Sequence, residues 1–232
     1  MKVDSIVVYQ EASVPCFCMR KEQIARLRQA FPAARVTWCR SERACLRALP
    51  QAQIAVTWAF RQAWFARAPR LRAVGRLGVG LDNIDVAAAS KHGIVVMNTP
   101  GGNTLSTAEQ AWTLLMALSR NVYAAYQGLV EGRWDRKKFM GTQVTGKTLG
   151  IVGMGRIGRA VALRGRGFGM EIVYSDPKRL PPEDEAASGA NHLPLDELLS
   201  HSDVVSIHAS LDAGSRNLIS REKLRLMKTE AI

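Results

Sequence analysis

The sequence predicts an α/β protein made of two Rossmann-like, doubly wound parallel-sheet domains. Three observations lead there. Short apolar runs alternate with helical stretches through the first 100 residues. The glycine pattern Gly153-Met154-Gly155-Arg156-Ile157-Gly158 lies between an apolar run and a helical stretch. Between these regions, Asn98-Thr99-Pro100-Gly101-Gly102-Asn103 interrupts regular structure, so the domain boundary is expected near residue 100, giving domains 1–100 and 101–232.

In the first domain, Ile6 to Tyr9, Val36 to Trp38, Ile54 to Thr57, Ala73 to Leu77 and Ile94 to Met97 have the length and composition of buried parallel strands. Ile24, Leu27 and Phe31 at helical spacing, Glu42 to Leu49, Gln62 to Ala68 and Val86 to His92 supply the crossover helices. A succession of βα units implies a flavodoxin-like parallel sheet covered on both faces. Gly78-Val79-Gly80 follows the fourth strand, at the edge where open α/β sheets bind ligands. Its main-chain N–H groups are candidates to hold a carboxylate, a glycine turn without a ligand being the alternative.

After the boundary, apolar residues Leu115, Leu118, Val122 and Tyr126 recur at three or four residues, which predicts one long helix from about Leu105 to Glu131. Such a length suits a helix that bridges domains or subunits. The glycine pattern comes next, preceded by the strand Leu149 to Val152 and followed by a helix and the strand Ile172 to Tyr174. Gly153 permits the tight turn, Gly155 lets the main chain approach a pyrophosphate, and Gly158 allows close packing of helix on strand. The helix start directs unpaired N–H groups and a positive dipole end at phosphates. Asp176, 18 residues beyond Gly158, stands where a carboxylate accepts the ribose hydroxyls of NAD. A carboxylate there repels the 2′-phosphate of NADP, so NAD is the expected cofactor unless Lys178 and Arg179 fold back to offset the repulsion. Further on, residues 181–185 read as a polar surface connection, Leu195 to Ser200 as a short helix, and Val204 to His208 as a strand that ends in a histidine at the ligand edge. His92, His192 and His201 are expected in surface helical or loop positions.

Composition narrows the remaining classes. The protein has 232 residues with 47% hydrophobic and 22% charged content, which is that of a soluble globular chain. No apolar run approaches the roughly 18 residues that argue for a membrane span, and Met1 leads straight into an expected strand, so no membrane partner and a cytoplasmic address are expected. The net charge of +12 is concentrated in residues 1–100, where 15 Lys and Arg face 6 Asp and Glu. Those arginines are scattered and carry no nucleic-acid-binding motif, so a solvated basic surface is expected rather than a nucleic-acid partner. Cys16, Cys18, Cys39 and Cys45 have no histidine among them and no paired CxxC, which reads as reduced thiols with no metal site.

An ordered set of motifs resembles the NAD-dependent D-isomer-specific 2-hydroxyacid dehydrogenases. It comprises Gly75-Arg76 with Gly78-Val79-Gly80-Leu81-Asp82-Asn83-Ile84-Asp85, Asn98 to Asn103 with Ala108-Glu109, the glycine loop with Asp176, and Ser202-Asp203-Val204-Val205. The stretch Gly132 to Gly141 joined to Gly146-Lys147-Thr148-Leu149-Gly150 looks most like the phosphoglycerate dehydrogenase branch.

The resemblance implies hydride transfer between NAD(H) and a small 2-hydroxy or 2-oxo acid, in a homodimer built through the helix after the hinge. In that scheme Val79, Gly80 and Asn103 serve the substrate. Gly153, Gly155, Arg156, Ile157, Gly158 and Asp176 hold the cofactor, with Thr107, His208 and Ala209 beside it. The second domain is then expected to be incomplete at its C-terminus, with the family's catalytic arginine, glutamate and histidine falling beyond Ile232. No catalytic residue of that trio is expected within the chain, and a non-catalytic NAD-binding or oligomer-forming remnant is the competing reading. Two departures stand out. Thr57-Trp58 replaces the arginine-serine pair that binds substrate phosphate in the phosphoglycerate branch, and Ser210 replaces a proline of the cofactor loop.

Overall fold

The computed structural model describes residues 3–10, 19–212 and 214–232, and these divide into two compact units, 1–103 and 104–232. Cys16 and Cys18 lie outside the described residues. In the first unit the strands are β1 (Ser5–Tyr9), β2 (Arg35–Cys39), β3 (Ile54–Thr57), β4 (Ala73–Arg76) and β5 (Val95–Met97). All pair in parallel, in the order β2-β1-β3-β4-β5. That is the flavodoxin-like order, with its reversal between β1 and β3. The connecting helices are α1 (Lys21–Ala30), α2 (Glu42–Ala48), α3 (Gln62–Phe65) and α4 (Val86–Lys91).

Alternation along β1 divides the core. Val7 and Tyr9 face a cluster with Phe60, Trp64, Phe65 and Val74, whereas Ile6 and Val8 face Ile24 of α1. Both faces of the central strand are therefore covered, as a parallel sheet requires. Ser41 and Asp85 start α2 and α4 by accepting the N–H groups of Ala44 at 3.3 Å and Ala88 at 2.7 Å. One strand departs from the expectation of burial. β5 has a single neighbour, and Val95 and Met97 are exposed on this sheet edge.

The second unit contains β6 (Thr148–Val152), β7 (Glu171–Ser175), β8 (Ala190–His192) and β9 (Val204–Ile207), all parallel in the order β8-β7-β6-β9. This is the 3-2-1-4 portion of the dinucleotide-binding sheet, with its switch point between β6 and β9. Its helices are α5 (Thr104–Ser119), α6 (Val122–Val130), α7 (Arg156–Gly167), α8 (Pro182–Ser188), α9 (Leu195–His201) and α10 (Arg221–Leu224). Trp112 of α5 stacks on Phe168 with centroids 4.6 Å apart and donates its indole N–H to the Val161 carbonyl at 3.1 Å, which fixes α5 against α7. Ile232 lies on the outer edge of β9, donating to the Asp203 carbonyl and accepting from Val205 N–H.

Three expectations are corrected here. The single helix Leu105 to Glu131 is two helices, because Asn121 adopts a left-handed φ of 50° and the Ser119 carbonyl is taken by Thr142 N–H. Residues 182–185 belong to α8, with Pro181 as its cap: Pro182 opens the helix and Gly189, at φ 59°, closes it. His192 is on strand β8 and half-buried rather than on a surface loop, with its ring edge-on to Tyr174 at 5.1 Å.

Candidate functional site

At the switch point, β6 ends in Val152 and the chain turns through Gly153, whose φ is +93°. A Cβ there would stand 2.5 Å from Ala209 N and 2.7 Å from the His208 carbonyl carbon, so the glycine also lets the β6 and β9 exits touch. Gly158 has a different constraint: an added Cβ would meet Gly153 O at 2.3 Å, which keeps α7 close under the loop. Gly155 faces open space, with no atom within 4 Å of a Cβ built on it. The loop is thus tight where it packs and open at the head of α7, where a phosphate is attracted by N–H groups and the helix dipole. Arg156 is exposed and Ile157 partly exposed on the first turn of that helix.

Asp176 follows β7 and is joined to this loop. One carboxylate oxygen accepts Met154 N–H at 2.8 Å and the other accepts Lys178 N–H at 2.9 Å. Each oxygen has two lone-pair directions, so acceptor capacity remains for hydroxyl groups. Gly153, Gly155, Asp176, His208 and Ala209 line one cavity of about 760 Å³. That volume lies within the range of ligand sites of roughly 300–1,000 Å³. Apolar walls come from Pro177, Pro194, Leu195 and Leu218, and His192 closes one side with Nε2 3.4 Å from the Asp176 carbonyl. These wall residues were missed in the sequence. The only signal for them was the pattern of prolines after strands, which points to chain reversals at the ligand edge.

His208 stands just past β9. Its backbone N–H extends the sheet to the Val152 carbonyl at 2.7 Å, and its Nε2 lies 2.8 Å from Ser206 Oγ. Burial lowers its pKa from the ordinary histidine value. Among the described residues, no histidine is hydrogen bonded to a carboxylate. On α8, Glu185 receives the Tyr174 hydroxyl at 2.7 Å and a two-pronged contact from Arg179 at 2.9 and 3.0 Å. These bonds hold its carboxyl down to about 2, Arg179 first and Tyr174 second among the causes.

The remaining candidates lie elsewhere. Thr107 is partly exposed on the first turn of α5 and does not line this cavity. Val79, Gly80 and Asn103 belong to the first unit. There, Gly78 N–H is bonded to Thr99 Oγ1 at 2.9 Å, and the Val79 carbonyl accepts Asn98 Nδ2 at 2.7 Å. Gly78 N–H is therefore occupied, while Val79 is partly exposed and Gly80 exposed. Beside this loop the buried Arg76 guanidinium lies 3.8 Å from the Trp58 ring centroid and donates to the Leu77 carbonyl at 3.0 Å. Cys39 and Cys45 are buried and free, and burial pushes the Cys45 thiol up to about 12.

A glycine loop and an acid at the switch point of a parallel sheet define a dinucleotide-binding α/β protein. Residues 112–232 match the family model described as D-isomer specific 2-hydroxyacid dehydrogenase, NAD binding domain. The chain belongs to that family, and its second unit carries the NAD binding domain. It is 47% identical to D-3-phosphoglycerate dehydrogenase of Rattus norvegicus over 153 residues, which is 66% of this chain and 28% of the rat protein. It is 49% identical to glyoxylate reductase of Korarchaeum cryptofilum over 173 residues, 72% of this chain and 52% of the archaeal one. The matches thus span about a quarter to a half of the length of these curated relatives. Among solved structures, a glyoxylate reductase from Paecilomyes thermophila superposes with a TM-score of 0.83 at 28% identity, covering 98% of this chain and 71% of that one.

Proposed function

We propose that the protein serves NAD-linked interconversion of a small 2-hydroxy acid and its 2-oxo acid. The observation that carries this reading is the cavity at the switch point, bounded by Gly153, Gly155 and Asp176. In this reading the adenosine ribose hydrogen bonds to Asp176 and the pyrophosphate lies over Gly155, Arg156, Ile157 and Gly158 at the head of α7. His208 and Ala209 border the cofactor, Thr107 and Asn103 serve the nicotinamide side, and Val79 and Gly80 offer N–H groups to the acid's carboxylate. The domains are then 1–100 for the acid and 101–232 for the cofactor. When bound, the nicotinamide exchanges hydride with C2 of the acid. The residues of this chain bind, orient and exclude water.

Trp58 and Arg76 favour a non-phosphorylated acid. The Arg76 charge is covered by the Trp58 ring and by carbonyl and amide oxygens. The reading also includes a homodimer through the exposed apolar residues of α5 and α6, and a cytoplasmic address. A second reading, cofactor binding without catalysis, is favoured by the lack of a histidine–carboxylate pair among the described residues.

Titration of the protein with NADH, alone and with glyoxylate, hydroxypyruvate or 3-phosphohydroxypyruvate, tests both. NADH binding that a non-phosphorylated acid strengthens, with NADH oxidation, is the result expected of the first reading, and NADH binding without oxidation is the result expected of the second. Turnover would identify His208 as the first residue to mutate, and failure to bind NADH would refute the assignment.

A further inference from the structure

The loop between Asp176 and α8 contains two cations, Lys178 and Arg179, only two and three residues from the carboxylate that would meet the cofactor ribose. An arginine so placed is suited to a 2′-phosphate, because its planar fork matches phosphate oxygens. Here that fork is already filled. Arg179 Nε and Nη2 both donate to Glu185, at 2.9 and 3.0 Å, and the same carboxylate accepts the hydroxyl of Tyr174, whose side chain is fully buried. Tyr174 in turn accepts Leu180 N–H at 2.8 Å, so the carboxylate is anchored through the sheet as well as through α8. The neighbouring acid does the same with a second cation: Asp184 holds Arg159 of α7 at 2.7 Å. The first turn of α8 thus keeps Arg159 and Arg179 in ion pairs.

We propose that Glu185 is a specificity-determining positioning residue: by holding Arg179 away from the ribose side of Asp176, it keeps the site selective for NAD over NADP. The proposal rests on the cofactor reading above and extends it from the residue that repels the 2′-phosphate to one that withholds a partner from it. Tyr174 sets the geometry. Because its hydroxyl is fixed by Leu180, Glu185 is held in one place and Arg179 follows it.

The test compares NADH and NADPH dissociation constants, by calorimetry, for the parent protein, Glu185→Gln, Arg179→Ala and the double variant. Glutamine keeps the shape and an acceptor for Tyr174 but gives up the charge that retains Arg179. Releasing a charge-assisted contact to phosphate should tighten NADPH binding by about tenfold relative to NADH in Glu185→Gln. The gain should vanish in Glu185→Gln/Arg179→Ala, which shows the arginine to be its source. An NADPH-to-NADH ratio unchanged in Glu185→Gln, whether or not the melting temperature falls, would overturn the proposal, since a merely structural role weakens both nucleotides alike. A gain that survives in the double variant would overturn it too. If the parent protein binds neither nucleotide, the cofactor reading itself fails and the proposal falls with it, a result distinct from an unchanged ratio.

Discussion

The backbone N–H of Met154, inside the glycine loop, donates to Asp176 Oδ2 at 2.8 Å. One side chain thereby has two tasks, since the carboxylate that faces the cavity also fixes the loop that would hold the phosphates. Asp176→Ala removes the acceptors of two backbone N–H groups, those of Met154 and Lys178. A loss of about 1–3 kcal/mol in unfolding free energy is predicted, measured by urea titration. Asp176→Asn keeps one oxygen acceptor and should lose less than the alanine variant. Equal stability of the alanine variant and the parent would show that the loop does not depend on this contact.

Gly158→Ala is predicted to destabilise the second unit by about 1–3 kcal/mol, because the new methyl would sit 2.3 Å from the Gly153 carbonyl oxygen and push α7 off β6. Gly155→Ala adds its methyl to open space and should leave the melting temperature nearly unchanged while weakening NADH binding. Equal melting temperatures for the two variants would contradict the assignment of packing to one glycine and ligand approach to the other.

Stability should fall as the pH drops below about 6.5, in part through His208. Burial depresses its pKa in the folded protein, so the unfolded chain takes up the proton first. The contribution is complete above the unfolded value and is lost as pH falls toward the lower folded value. His208→Gln should flatten that segment of a plot of unfolding free energy against pH, and an unaltered slope would assign the dependence to another group.

Much of this architecture was legible beforehand because local patterns and tertiary demands agree. The strand Ile54–Thr57 is mostly apolar, short and central, and Gly153 and Gly158 each meet a separate steric need. What was not legible depends on distant contacts. The break between α5 and α6 arises because Thr142 takes the Ser119 carbonyl, a partner 23 positions away that no periodicity reveals. Ala-Asn-His lacks strand composition, yet its pairing with β7 puts His192 on the cavity wall. The hold of Glu185 on Arg179 likewise depends on Tyr174, whose hydroxyl becomes a partner only once β7 and α8 are packed.

Leu118, Val122, Tyr126 and Leu129 are all more than half exposed along α5 and α6. In the dimer reading these exposed apolar residues form the association face. Sedimentation at micromolar concentration should show a dimer for the parent protein and a folded monomer for Leu118→Glu/Tyr126→Glu. A parent protein that sediments as a well-folded monomer would contradict the dimer reading.

The most direct test of the central claim, an NAD site organised by Asp176, is a calorimetric titration of the parent protein and Asp176→Asn with NADH and with NADPH. The parent should bind NADH at least about tenfold more tightly than NADPH, because the carboxylate accepts the ribose hydroxyls and repels the 2′-phosphate. Asp176→Asn should lose most of that preference while remaining folded. Tighter binding of NADPH by the parent, or a preference for NADH that is undiminished in Asp176→Asn, would contradict the account.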